Sequence, residues 1–229
     1  MSFEISPSGQ PFGASVTGLD LSKPVSSSVV SEIREAWLKH HVLAFPDQAI
    51  SDDDLERFTL LFGPFGDDPF IAPIPLFVNQ HLALEHIPDE LRQRIEGKQA
   101  IHSARNAYAP TGFYGADDRA AGRSMDIRPS DDAEATQLHP LISSHPETGR
   151  EALFGCAGYI VGIDGMDQAE SWDLLTELFR WQTQPQFQYR HKWQPRMLLM
   201  WDNRSLLHMA TGGYKGFDRL LHRTTIGSA

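Results

Sequence analysis

The chain has 229 residues, of which 41% are hydrophobic and 22% charged, and a net charge of −10. That composition suits a single soluble domain spanning residues 1–229 with a sizeable core, and the acidic balance argues against a nucleic-acid partner. Residues 1–7 lack the basic and apolar regions of a signal peptide, no apolar run approaches membrane-spanning length, and the lone Cys156 precludes an internal disulfide, so a cytoplasmic protein without a membrane partner is expected.

The first half alternates short strands with helices. Residues 13–21 alternate apolar and polar side chains and read as a strand. Pro24 and Ser26 to Ser28 introduce a helix whose Val29, Val30, Ile33, Ala36 and Trp37 recur at helical spacing. Residues 41–45 form a short buried strand. Ser51 is placed to cap the next helix, with Asp52 to Asp54 in its first turn, Leu55, Phe58, Leu61 and Phe62 as its apolar face, and Gly63 ending it. Residues 64–75 hold four prolines and read as a loop. Helices follow near 79–85 and over 88–96, the second closed by Gly97, and then a strand over 99–102.

Residues 103–135 have weak periodicity and read as a long excursion of the kind that covers active sites. Residues 138–143 and 151–154 flank the turn at 147–150 and read as a hairpin. Cys156, between Gly155 and Ala157 with no basic neighbour, is expected to be a buried structural thiol. An amphipathic helix spans 167–180 with Trp172, Leu175, Leu178 and Phe179 inward, and a strand spans 187–193. The last part reads as two strands of one sheet. The first runs through Met200 and the turn at Trp201 to His208, and the second carries Arg219 and Arg223, four residues apart and therefore on one face.

Ten histidines are candidates for metal ligation. His40 and His41 end a helix, where a favourable dipole position or plain exposure explains them. His81 and His86 have polar helical surroundings and are expected at the surface. His191 shares a face with Tyr189 and Trp193, which favours a structural role. The side chain of His222 should point away from those of Leu221 and Arg223. His145 and Glu147 make the sole His-x-Glu spacing, which on a strand would put both on one face, but Pro146 between them and the turn after them argue against a metal role. His208 differs, because it follows a buried strand and precedes Arg219 and Arg223 by eleven and fifteen residues.

Several stretches in this order resemble one family. They are residues 13–21 and 41–48, Phe62-Gly63-Pro64, residues 138–142, residues 145–149, Trp201 to Arg204, His208, and residues 219–225. They resemble the taurine dioxygenase group of Fe(II)/2-oxoglutarate-dependent dioxygenases, whose near relatives include phenoxyalkanoate herbicide dioxygenases. The resemblance implies a mainly β fold with flanking helices, a double-stranded β-helix (jelly roll, cupin-like). It implies Fe(II), 2-oxoglutarate as co-substrate, and O2. The reaction would hydroxylate a small organic anion (a sulfonate, sulfate ester or aryloxyalkanoate) and oxidatively decarboxylate 2-oxoglutarate to succinate and CO2. His208 matches the distal metal ligand, and is in that sense catalytic. Arg219 matches the arginine that pairs with 2-oxoglutarate, and Arg223 the one that grips the substrate anion, roles that suit a planar guanidinium fork. Tyr108 and Tyr159 match aromatic walls of the substrate pocket. Related enzymes form dimers or tetramers, so a homo-oligomer is expected.

The pattern also departs from the family. The family's His-x-Asp should follow the proline-rich loop, yet Ile74-Pro75 runs directly into Leu76-Phe77, which match residues well downstream. About fifty residues are absent, enough for several strands at ~5–6 residues each, and two metal ligands go with them. Either the sequence omits a segment that the protein carries, which is the expectation, or the protein lacks it and is a catalytically inactive jelly roll that binds a small organic acid without iron. Asp67 and Asp68 stand where the taurine enzyme has histidine-rich contacts and would repel an anionic head group, which disfavours taurine. The stretch 155–157 replaces a more polar one and again points to a different pocket.

Overall fold

A computed structural model describes residues 3–66, 76–112, 129–209 and 221–227. In chain order its elements are β1 (Glu4–Pro7), β2 (Ala14–Thr17), α1 (Ser27–His40), β3 (Val42–Phe45), α2 (Asp52–Leu60), β4 (Leu76–Asn79), α3 (Gln80–Glu85), α4 (Asp89–Ile95), β5 (Gln99–Ser103), α5 (Arg105–Tyr108), β6 (Thr136–Pro140), β7 (Ile142–Ser144), β8 (Glu151–Leu153), β9 (Ile160–Ile163), α6 (Gln168–Gln182), β10 (Gln188–Arg190), β11 (Leu198–Trp201) and β12 (Leu206–Met209). They divide into two units: residues 1–79 with 188–229, and residues 80–187.

The first unit holds two sheets, ordered β1-β2-β3-β11 and β10-β4-β12. Side chains alternate across a strand, and β11 shows the consequence. Its Leu198 and Met200 join a core with Ile33 and Ala36 of α1 and Phe58 of α2. Its Leu199 and Trp201 turn the other way and join Val42, Phe77, Tyr189 and Leu206, drawn from both sheets. Phe45 and Phe77 are fully buried, each contributing about 1.5–3 kcal/mol through burial. The helices start where expected. Ser26 accepts from the Val29 amide, and Ser51 forms a reciprocal capping box with Asp54. Leu61 is 39% exposed, however, because α2 stops at Leu60, whereas Phe58 and Phe62 are buried in the core and Leu55 packs against it. Gly13 has φ +90°, and a Cβ there would stand 2.8 Å from the Tyr189 ring, so both its backbone and its close packing require glycine.

The second unit pairs β6-β5-β9 in one sheet and β7-β8 in a hairpin. The single strand expected over 138–143 is two strands. Residues up to Pro140 pair with β5, whereas Ile142 onwards pairs with β8. Leu141, fully buried between them, marks the change of partner. The turn at 147–150 closes the hairpin as expected, with Gly149 left-handed. Asp167 caps α6 through the Glu170 amide. The buried face of α6 is Ser171, Leu174, Leu175, Leu178 and Gln182. Trp172, expected inward, is 37% exposed, one position off that stripe. Trp181 donates its indole N–H to the Ala83 carbonyl at 2.7 Å and so ties α6 to α3.

Candidate functional site

The site is built from the β11–β12 connection in the first unit. The expected single strand through His208 is two strands in different sheets: β11 pairs with β3 and β12 with β4. The turn between them is locked by buried polar groups. Asp202 is 8% exposed, Ser205 0% and His41 3%. The Asp202 carboxylate accepts from the Arg204 amide at 2.9 Å and from the Ser205 hydroxyl at 2.7 Å. Since Ser205 donates to Asp202, its oxygen is left to accept from His41 Nδ1 at 3.2 Å. The Asp202 amide donates to the His41 carbonyl at 3.1 Å. His41 is therefore neither exposed nor merely a dipole partner. It has φ 62°, caps α1 through its N–H to the Trp37 carbonyl, and anchors the turn.

Beyond that turn β12 presents His208, opposite Phe77 and exposed. The Trp201 indole packs edge-on against His208, ring centroids 6.0 Å apart, and against Phe77 at 5.6 Å. Its N–H donates to Asn203 Oδ1 at 2.7 Å, which fixes the rotation of the ring. Residues 221–227 are not a regular strand, contrary to expectation, and make a single bridge, Ile226 to Phe65. Their side chains nevertheless diverge as an extended chain requires. His222 Nδ1 lies 2.6 Å from Asp52 Oδ1, and the Thr224 hydroxyl 2.7 Å from that of Thr59, both toward α2. Arg223 turns the other way, its guanidinium 5.7 Å from the centre of the Trp201 ring. A cation over an indole contributes about 0.5–2 kcal/mol. The structure thus brings His208 and Arg223 to one indole. Arg219 lies outside the described residues, as do Asp67 and Asp68.

Tyr108 and Tyr159 belong to the second unit. Tyr108 is half-buried at the end of α5, and its carbonyl accepts from the Ser130 amide. Tyr159 is 41% exposed in the turn before β9. Cys156 is half-buried rather than buried. His81, expected at the surface, is 1% exposed, and its Nδ1 lies 2.7 Å from the Glu151 carbonyl. His145 Nδ1 accepts the amides of Glu147 and Thr148 at 3.2 and 3.4 Å, so it caps a turn rather than lying on a strand with Glu147. His191, just past the end of β10, is buried between Tyr189 and Trp193. One neutral tautomer takes the Tyr189 hydroxyl on Nδ1 at 3.1 Å and donates Nε2–H to the Met197 sulfur. Burial lowers its pKa to about 4.

Two things escaped the sequence reading. One is the role of Trp201 as a platform, and the other is the His41–Ser205–Asp202 anchor. The signal for the anchor was the Asp-x-x-Ser spacing of a side-chain-closed turn. The partner histidine, distant in sequence, carried no signal.

A mainly β fold with an imidazole exposed on β12 and an arginine beside the same indole suits one class, the 2-oxoglutarate-dependent dioxygenases. The chain belongs to the taurine catabolism dioxygenase TauD, TfdA family, whose model matches residues 4–76 and 75–225 in two segments that meet where Pro75 adjoins Leu76. It is similar to the (S)-phenoxypropionate/alpha-ketoglutarate-dioxygenase of Delftia acidovorans, 30% identical over 264 residues, covering 90% of this chain and 89% of that protein. It is similar to the alkylsulfatase of Acinetobacter baylyi, 26% identical over 271 residues, covering 93% and 81%. Both alignments are longer than the 229-residue chain, so each relative has residues with no counterpart here. Among solved structures, AAD-2 in complex with Mn(II) and N-oxalylglycine matches with a TM-score of 0.79 at 25% identity, covering 98% of this chain and 97% of that one. The fold is accordingly the mainly β jelly roll with flanking helices, and the chain is an oxidoreductase by class.

The metal of that class finds no complete seat among the described residues. No group of three or more His, Cys, Asp or Glu there is arranged to hold an ion. A facial set needs two imidazoles and a carboxylate, and β12 offers His208 alone. No helix among the described residues is long and apolar enough to cross a membrane.

Proposed function

We propose that the protein oxidises a small organic anion of the aryloxyalkanoate, sulfate ester or sulfonate class, with 2-oxoglutarate as co-substrate. The observation that carries this reading is the joint placement of His208 and Arg223 on Trp201. In it Arg223 grips the anion and Arg219 the co-substrate. The named activities of the two relatives, on a phenoxypropionate and on alkyl sulfates, support an anionic substrate. Fe(II) belongs to the proposal through the family and through the Mn(II) of AAD-2. His208 would be one ligand. The other two belong to a segment that relatives carry between the counterparts of Pro75 and Leu76. The broken family match and the absence of a ligand set among the described residues support that division. A single dioxygenase domain over 1–229, a cytoplasmic location and a homo-oligomer complete the reading.

Intact mass and turnover test it together. The protein purified from its source is expected to exceed 25.7 kDa by several kDa. It should form succinate from 2-oxoglutarate only with Fe(II), O2 and an anionic substrate, and lose this in His208→Ala. A mass of 25.7 kDa without stimulated succinate overturns the enzymatic reading and leaves a metal-free binder of organic acids.

A further inference from the structure

We propose that Trp201 is the positioning residue of the anion grip. Its indole sets where the Arg223 guanidinium lies and how far that group stands from His208. The inference rests on the reading of Arg223 as the anion's partner.

Four contacts from different parts of the first unit hold the indole. Its inner side lies in the core beside Phe77, with centroids 5.6 Å apart. One edge meets His208. Its N–H is fixed by Asn203 two residues on, at 2.7 Å. The Arg223 guanidinium lies over the ring at 5.7 Å. Residues 221–227 have no sheet ladder; the bridge at Ile226 and the contacts of His222, Thr224, Thr225 and Gly227 tether the segment on either side of Arg223. A long arginine on such a segment gives up much rotamer freedom when it adopts one pose. An aromatic face favours one such pose, and a guanidinium held there can offer its planar N–H fork to a carboxylate or sulfate. The same indole touches His208, so one rigid group references both the grip and the imidazole. An exposed Arg–carboxylate pair placed elsewhere would be screened and weak.

The test uses the full chain and the probe phenoxypropionate, with its uncharged amide as control, by calorimetry on wild type, Trp201→Leu, Trp201→Phe, Asn203→Ala and Arg223→Ala. Arg223→Ala is expected to weaken anion binding about tenfold. Trp201→Leu should weaken it about fivefold, Trp201→Phe less than twofold, and Asn203→Ala by an intermediate factor, reflecting loss of a pinned platform. The amide should bind equally to all. A second readout needs no ligand. Indole ring current should hold the Arg223 Hε resonance upfield in wild type and in Asn203→Ala. It should move downfield in Trp201→Leu and partly so in Trp201→Phe. If Trp201→Leu binds the anion like wild type while Arg223→Ala does not, the platform role fails and the grip stands. If Arg223→Ala binds normally, or wild type binds no anion, the grip fails and the resonance alone decides the platform. An Arg223 resonance unmoved in Trp201→Leu overturns it. Should Trp201→Leu fail to fold, Trp201→Phe and Asn203→Ala carry the same comparison.

Discussion

Two regions gather imidazoles beside polar neighbours, and they use them in opposite ways. At the β7–β8 hairpin, His145 accepts two backbone amides and His81 bonds a backbone carbonyl. Both rings are buried and serve the chain's own hydrogen-bond needs. At the β11–β12 turn that task falls to Asp202, Ser205 and His41, and His208 emerges exposed at the end of the construction. The difference lies in which groups satisfy the local backbone. Neighbours must satisfy the local backbone, because a buried polar group left without a partner costs about 1–3 kcal/mol. A His-x-Glu spacing means little where the backbone amides of the turn that follows need the imidazole itself.

The comparison can be sharpened in order of expected effect. His191 is the limiting case of an imidazole engaged at both nitrogens, and its folded pKa is lowered from 6.5 to about 4 by burial. Between those values the unfolded chain takes up a proton that the folded ring refuses. Stability is therefore whole above pH 6.5 and falls as pH drops through that window, by roughly 3 kcal/mol. His102, lowered to about 4 by burial and then by His139, acts in the same direction. Urea unfolding followed from pH 7 to pH 4 should show the slope, and His191→Phe should flatten part of it. An unchanged slope would break the assignment.

Asp202→Ala removes the acceptor for the Ser205 hydroxyl and the Arg204 amide and is expected to cost about 2–3 kcal/mol in the same measurement. It should also broaden the His208 ring resonances, because the turn that orients β12 loosens. His145→Ala deprives two turn amides of their partner and should cost about 2 kcal/mol. His208→Ala should stay within about 0.5 kcal/mol of wild type, as an exposed substitution does. A large cost at His208 would make it one more structural imidazole and erase the contrast.

Several particulars were legible in the sequence because they are local. Ser51 with Asp54, Asp167 ahead of α6, and Gly97 after α4 announce helix ends through caps and left-handed turns that need only a few neighbouring residues. The paired strands around residues 147–150 were visible for the same reason. Leu141 was not, since a change of strand partner depends on what β5 and β8 offer rather than on the residues at the switch. Trp172 was misplaced by a single position of helical phase. His81 looked like a surface residue because polar neighbours in sequence are not its neighbours in space.

For the site, the sequence alone determined the residue types and their order: an imidazole after a buried strand and arginines four apart, with the family match breaking at Pro75–Leu76. Those are matters of pattern and spacing, which survive without coordinates. Tertiary structure decided the rest. It put β11 and β12 in different sheets and recruited His41 from the end of α1 to hold the turn between them. It brought Arg223 onto the Trp201 ring from a stretch with no regular hydrogen bonding. The physical reason is that ring stacking and buried side-chain hydrogen bonds join residues far apart in the chain, and only packing selects which distant groups meet.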